Sequence, residues 1–177
     1  MWELARQPEI QSEVSAEACR VLRGRAPTAA DAPALTALRR SLEETLRLHP
    51  AAPLLSTRRA IRPITVGPWR LPAGTLLLLP VQLAQHDPQA FAQPEDFCPA
   101  RFAEHEASTH PHWLPFGLGP RVCLGQHQAM MELTVLAALL AQGFSWRAAA
   151  DQPAPQPLLQ VSCRPDALWL DIRRRVG

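Results

Sequence analysis

Lysine and tyrosine are absent from this sequence of 177 residues, and glycine is sparse, with 8 residues against 19 prolines. All 18 basic residues are therefore Arg, set against 16 acids for a formal net charge of +2. A near-neutral chain without a dense basic stripe gives no electrostatic basis for binding nucleic acid. Arg173-Arg174-Arg175 is a short run and reads as a solvated strand end. No long hydrophobic run is present. The most apolar stretch, Leu71 to Leu83, carries Pro72 and Pro80 and cannot span a bilayer. The start, Met1-Trp2-Glu3-Leu4-Ala5-Arg6, lacks the apolar core of a signal peptide. Cysteine is scarce as well: Cys19, Cys98, Cys123 and Cys163 form no C-x-x-C pair and suggest no disulfide framework. A reducing compartment follows, and a soluble, cytoplasmic chain is expected. Neither a Gly triplet nor sustained heptads occur, which excludes collagen and coiled coil.

What is present is enough for a folded core. The hydrophobic fraction is 47% and the charged fraction 19%, and the length suits one domain, residues 1–177. Pro8 predicts a helix start, and Ile10, Val14, Val21 and Leu22 share one stripe until Gly24 and Pro27. Asp31 is the expected N-cap of a second helical region, with Pro33 just inside and Leu35, Leu38, Leu42 and Leu46 continuing until Pro50. Twelve prolines fall between Pro50 and Pro120, so that stretch is read as turns and short strands. Strands are expected over Ser56 to Ile61 and Thr75 to Leu79, with a hairpin of Ile64-Thr65-Val66 and Trp69-Arg70-Leu71 around Gly67-Pro68. Asp87 to Phe91 suits one helical turn, and Gln93 to Val122 a long irregular segment. Gly125 to Gln142 is the clearest helix, with Ala129, Leu133, Leu136, Leu139 and Leu140 as its expected apolar face and Gly143 as its stop. Leu158 to Ser162 and Leu168 to Ile172 read as a last hairpin. The expected class is α+β, mainly helical.

The chemistry concentrates in Phe116-Gly117-Leu118-Gly119-Pro120-Arg121-Val122-Cys123-Leu124-Gly125. One cysteine ends a glycine-containing loop immediately before a helix, where backbone N–H groups favour a thiolate. Gly117, Gly119 and Gly125 allow a flat, bulky group to approach. Arg121 places a permanent cation two residues from the sulfur, suited to a ligand carboxylate. A lone thiolate without Cys or His partners does not suit zinc; it suits an axial ligand of haem iron. The bland alternative is a free Cys in a glycine turn.

This segment resembles the haem-binding loop of the cytochrome P-450 family, F-x-x-G-x-R-x-C-x-G, whose fixed positions are met by Phe116, Gly119, Arg121, Cys123 and Gly125. Glu44-Thr45-Leu46-Arg47-Leu48-His49-Pro50 resembles the family's E-x-x-R helix. Phe97-Cys98-Pro99-Ala100-Arg101-Phe102 resembles the segment that adds a third member, so the resemblance assigns Glu44, Arg47 and Arg101 a structural role behind the cysteine loop. Glu17-Ala18-Cys19-Arg20 also fits E-x-x-R, as one chance match is expected, and is given no role. Arg58-Arg59-Ala60 with Gly67 and Leu71-Pro72-Ala73-Gly74-Thr75 resembles the strand pair beside the haem, where Arg58 is favoured over Arg59 for a propionate. His86-Asp87-Pro88 resembles the element that follows, with His86 where Arg is common, and His86 is given no catalytic role. His105, His110 and His112 lack regular ligand spacing and are not read as a metal cluster. Gln126 to Glu132 resembles the helix after the cysteine, with Ala129 at a cofactor-contacting place and Gln128 where a large apolar residue is common.

The resemblance begins near residue 2 and covers only the C-terminal part of the family's catalytic domain. Nothing resembles the distal A/G-G-x-D/E-T helix, so the N-terminal half is expected to act in trans if the chain is catalytic. The resemblance implies haem b (iron protoporphyrin IX) held by Cys123, with Arg58, Phe116, Gly117, Arg121, Gly125 and Ala129 around it. It also implies a ferredoxin or reductase as electron donor and insertion of one oxygen atom into an organic substrate, the thiolate favouring O–O cleavage. The alternatives are a non-catalytic haem-binding remnant, an interaction module, and a fragment that does not fold stably alone.

Overall fold

The computed structural model describes residues 1–177 except 105, 106, 161, 176 and 177, with backbone alone at 55 and 56. Helices α1 (Trp2–Arg6) and α2 (Pro8–Leu22) are separated by Gln7. Pro8 opens α2 at a position where its missing N–H would have had no partner in the helix. Val14, Ala18 and Leu22 recur at four-residue spacing and are buried, with Ile10 and Val21 packed beside them. Arg23 ends the helix in the left-handed conformation, φ 52°, its N–H donating to the Cys19 carbonyl.

Asp31 does not cap the second helix. Residues Ala29–Ala34 form a 3₁₀ turn opened by Thr28, and Asp31 Oδ2 accepts from the Thr28 N–H at 2.8 Å and its hydroxyl at 2.9 Å. The Arg25 guanidinium, then the Thr28 bonds, hold the Asp31 carboxyl well below the usual carboxylate range. Pro33 cannot continue an α-helical ladder here. Helix α3 (Thr36–Leu48) starts later and is capped by α2. Glu17 accepts from the N–H groups of Ala37 and Leu38 and from the Thr36 hydroxyl, each at 3.0 Å.

Strands β1 (Leu54–Arg59) and β4 (Leu76–Pro80) pair antiparallel with a register irregularity between Leu55 and Arg58. Strands β2 (Ile64–Val66) and β3 (Trp69–Leu71) form the expected hairpin, with Val66 opposite Trp69 and Gly67 at φ +55° in the turn. A helix that the sequence did not suggest, α4 (Val81–Gln85), follows β4 directly. Asp87 to Phe91 closes a single turn through the Phe91 N–H and the Asp87 carbonyl, 2.9 Å apart. The following segment carries short 3₁₀ turns at Pro99–Phe102, Ala107–Thr109 and Gly119–Arg121.

Helix α5 (Gln126–Gly143) runs as expected, but its buried face differs from the predicted one. Thr134, Ala138 and Ala141 are buried, whereas Leu133, Leu136 and Leu139 are exposed. Small residues win this face because α2 lies close against it: Ala18 meets Ala138 and Ala141 in one cluster with Val14, Leu22, Leu35 and Leu38. Each fully buried leucine there contributes about 1.5–3 kcal/mol. Gly143 is the last helical residue rather than a stop beyond it, and Phe144 begins β5 (Phe144–Ala148) at once. The last hairpin is also rearranged. Strand β6 (Pro157–Leu159) pairs with β7 (Cys163–Pro165), while β8 (Leu170–Arg174) pairs with β5. Gln11 of α2 fastens β5 to the helices by donating to the Trp146 carbonyl at 2.8 Å and accepting from its N–H at 3.1 Å. The fold is α+β, with α2, α3 and α5 as the helical core and paired strands at its margins. Among the described residues no helix is long and apolar enough to cross a membrane.

Candidate functional site

Helix α3 turns one side to the helical core and the other to the proline-rich segment. On that second side Glu44 and Arg47 are fully buried. Arg47 Nε donates to Glu44 Oε2 at 2.8 Å and Arg47 Nη2 to Oε1 at 2.9 Å. Oε1 also accepts from Arg101 Nε and from the Cys98 N–H, both at 2.9 Å. The rest of the Arg47 guanidinium is spent on backbone: Nη1 donates to the carbonyls of Gln85 and Pro94 at 2.8 and 2.7 Å, and Nη2 to that of Asp96 at 3.1 Å. Two buried charges are tolerated because their polar atoms are matched by partners of opposite character. Phe91 completes the cluster, with the Arg47 guanidinium carbon 5.0 Å from its ring centroid and His110 stacked on it at 4.3 Å.

The cysteine loop leaves this cluster through Trp113 and Leu114. Trp113 Nε1 donates to the Glu43 carbonyl at 3.0 Å, and the Leu114 N–H donates to Gln85 Oε1 at 2.7 Å. Trp113 meets the Phe116 ring edge-on, centroids 6.1 Å apart. The loop is then closed by its own backbone. The Gly117 N–H donates to the Leu114 carbonyl at 3.0 Å, and the Cys123 N–H to that of Phe116 at 2.9 Å. Gly117 and Gly119 take φ values of +76° and +72°, which a side chain would strain. Arg121 ends the 3₁₀ turn Gly119–Arg121 and is exposed. Cys123 is a free, exposed thiol just before α5. Gly125 is the N-cap of α5, and a Cβ placed on it would lie 3.9 Å from the Cys123 sulfur. Ala129 sits half-buried one turn into α5, its N–H donating to the Gly125 carbonyl at 2.8 Å.

Arg58 lies on β1 opposite Leu77 and reaches the same side of the fold. It lines an open cavity of about 430 Å³ together with Leu79, Val81, Leu114, Leu118 and Gly119; Cys123 is not among the lining residues. Arg59 instead donates to the Gly74 carbonyl at 3.0 Å, in the turn between β3 and β4. His86 is occupied in packing, its ring nitrogens 2.9 Å from Glu95 Oε1 and 3.1 Å from the Leu48 carbonyl. His105 lies outside the described residues. His110 packs on Phe91 and receives the His112 N–H at 3.2 Å.

Sequence reading passed over Glu17, Gln85 and Trp113. Nothing in the primary pattern separates Gln85 from Gln82, and Glu17 stands in a match expected by chance. Trp113 carried one signal, an indole N–H that needs an acceptor when its ring is buried.

The cytochrome P450 family model matches residues 1–168. The steroid 17-alpha-hydroxylase/17,20 lyase of Gallus gallus is 34% identical over 157 residues, covering 86% of this chain and 31% of that protein. Cytochrome P450 3A5 of Homo sapiens is 32% identical over 180 residues, covering 98% of this chain and 36% of that protein. A zebra fish cytochrome P450 structure with abiraterone superposes with a TM-score of 0.85 at 31% identity, covering 98% of this chain and 41% of the other. The chain spans about a third of the length of the curated relatives it matches. The chain belongs to the cytochrome P450 family.

Proposed function

We propose that this chain is the haem-proximal part of a P450 monooxygenase, a partial catalytic domain over residues 1–177 in which Cys123 is the axial thiolate ligand of haem b. The observation that carries the reading is the contrast within one loop. Its polar attachments to α3 and α4 are made, and its free thiol is left exposed beside a glycine that has no Cβ to cover the sulfur. Leu118, earlier in the loop, and Leu124, next to Cys123 in the chain, are 72% and 100% exposed, apolar surface suited to a flat macrocycle. Arg121 on the loop and Arg58 at the neighbouring cavity are permanent cations suited to its carboxylates. The residues present therefore fit the group.

When bound, the haem iron supplies dioxygen activation for inserting one oxygen atom into an organic substrate, with electrons from a ferredoxin or reductase. The work of this chain is positional and electrostatic. Cys123 would hold the iron as a thiolate and supply it with electron density, and Arg58 and Arg121 would hold the group's carboxylates. Phe116, Gly117 and Gly125 would lie against the group, and Ala129, small and in the first turn of α5, would leave room for it. Glu44, Arg47 and Arg101 hold the loop from behind. Turnover, substrate and electron donor are proposed for this chain only together with polypeptide equivalent to the rest of its relatives, in a cytoplasmic setting.

A second reading is favoured by the exposure of Leu133, Leu136 and Leu139 along α5. Under it the chain is a haem-binding or interaction module without turnover of its own. The test for both is a carbon monoxide difference spectrum of the reduced, haem-reconstituted chain. A strongly red-shifted Soret band is expected, lost in Cys123→Ala and retained in Cys98→Ala. A Cys123→Ala spectrum identical to the parent overturns thiolate ligation by this loop. Reductase-dependent product formation by the chain alone overturns the need for further polypeptide.

A further inference from the structure

We propose that Gln85 is the positioning residue that couples the end of the E-x-x-R helix to the cysteine loop; the consequence for haem rests on the reading of Cys123 as ligand. The last carbonyls of an α-helix have no partner within it. In α3 those of Leu46 and Arg47 both accept from Gln85 Nε2, at 3.0 and 2.8 Å. The other end of the same amide, Oε1, accepts from the Leu114 N–H at 2.7 Å, and the side chain has no exposed surface. Its backbone is tied as well, because the Gln85 carbonyl accepts from Arg47 Nη1 at 2.8 Å.

The amide orientation is dictated by its partners. An N–H group can only donate and carbonyls can only accept, so oxygen must face Leu114 and nitrogen must face α3. A carboxamide of this length has both functions on one planar group. Methionine of similar size has neither, and a glutamate carboxylate would set an anion against two carbonyl oxygens. From Leu114 the order passes down the loop through the Gly117 N–H on the Leu114 carbonyl and the Cys123 N–H on the Phe116 carbonyl. Arg47 and Glu44 fix the helix and the proline-rich segment, and Gln85 fixes where the sulfur-bearing loop departs from them.

The test is amide hydrogen exchange on the full chain without haem, comparing the parent with Gln85→Met and Gln85→Glu. Exchange at Leu114 and Cys123 is expected to rise about tenfold or more in Gln85→Met, while the Val14 region of α2 keeps its protection. Unchanged exchange in the loop overturns the proposal, as does equal acceleration of loop and α2. If Gln85→Met does not fold, Gln85→Glu decides by the same criteria. With haem loaded, the thiolate-type carbon monoxide band is expected to fall to half or less of the parent fraction in Gln85→Glu; an undiminished band overturns the link to the sulfur. A parent protein without that band defeats ligation by Cys123, whereas the exchange result still decides the role of Gln85.

Discussion

Arg101 Nε lies 2.9 Å from Glu44 Oε1, joining a half-exposed loop to a carboxylate that Arg47 already holds from within its own helix. The two arginines are not equivalent. Arg47 has no exposed side-chain surface, whereas Arg101 retains 14%. Removing Arg47 or Glu44 strips a buried charge of its main partner, and alanine at either is expected to cost about 3–5 kcal/mol. Arg101→Ala leaves Glu44 with Arg47 and the Cys98 N–H, and about 1–2 kcal/mol is expected. Urea denaturation of the three variants checks this; equal losses for Arg47 and Arg101 contradict it.

Glu17 carries the start of α3 although it belongs to α2. Glu17→Ala removes the acceptor for two N–H groups and a hydroxyl and is expected to cost about 1–3 kcal/mol. Glu17→Gln retains an acceptor and should recover part of the loss. Thermal denaturation measures both, and an unaffected Glu17→Ala chain refutes the cap.

Burial pushes the His110 imidazole below its ordinary value, His112 and Arg101 add to this, and the bond to the Ala90 backbone opposes it. The unfolded chain therefore binds the proton more readily than the folded one. The resulting stability is present above about pH 6.5 and is lost as pH falls below that value toward the lowered one. His110→Phe keeps the stack on Phe91 and cannot titrate. Its melting temperature should fall less between about pH 6.5 and 5 than that of the parent. Parallel pH profiles of parent and variant count against His110 as the source.

Two glycines in the cysteine loop should respond differently to alanine. Gly119 has open space around a Cβ but φ +72°, so the cost is in the backbone, about 1–2 kcal/mol. Gly125 has φ −86° and meets only the Cys123 sulfur at 3.9 Å. Gly125→Ala should change stability by less than about 1 kcal/mol yet slow alkylation of Cys123 several-fold. Peptide mass spectrometry after iodoacetamide, with Cys98 as internal reference, reads the second effect; unchanged alkylation shows the sulfur approachable from another side.

Local signals in the sequence were sufficient for α2, the body of α3, the β2–β3 hairpin and the extent of α5, because helical periodicity, Pro8 and Gly67 act over a few residues. The form of the cysteine loop was legible for the same reason: Phe116 to Gly125 is contiguous, and its glycines and Cys123 stand at fixed spacing just before a helix. Helix α4 was missed because its five residues, opened by Pro80 and carrying two glutamines, are too short to show a period.

The sequence by itself determined which segments could be helices, where proline would interrupt them, and that one thiol would stand at a glycine-rich turn before a helix. Tertiary structure decided the rest. Ala138 and Ala141 rather than the leucines of α5 enter the core, because α2 approaches that face closely. Strand β8 pairs with β5 rather than with its neighbour in the chain. Glu17 caps a helix it does not belong to, and Gln85 finds α3 on one side and Leu114 on the other. The physical reason is common to all four. A buried polar group or an open face takes whichever partner the packed chain brings within bonding distance, and that partner is remote in sequence, where no local pattern records it.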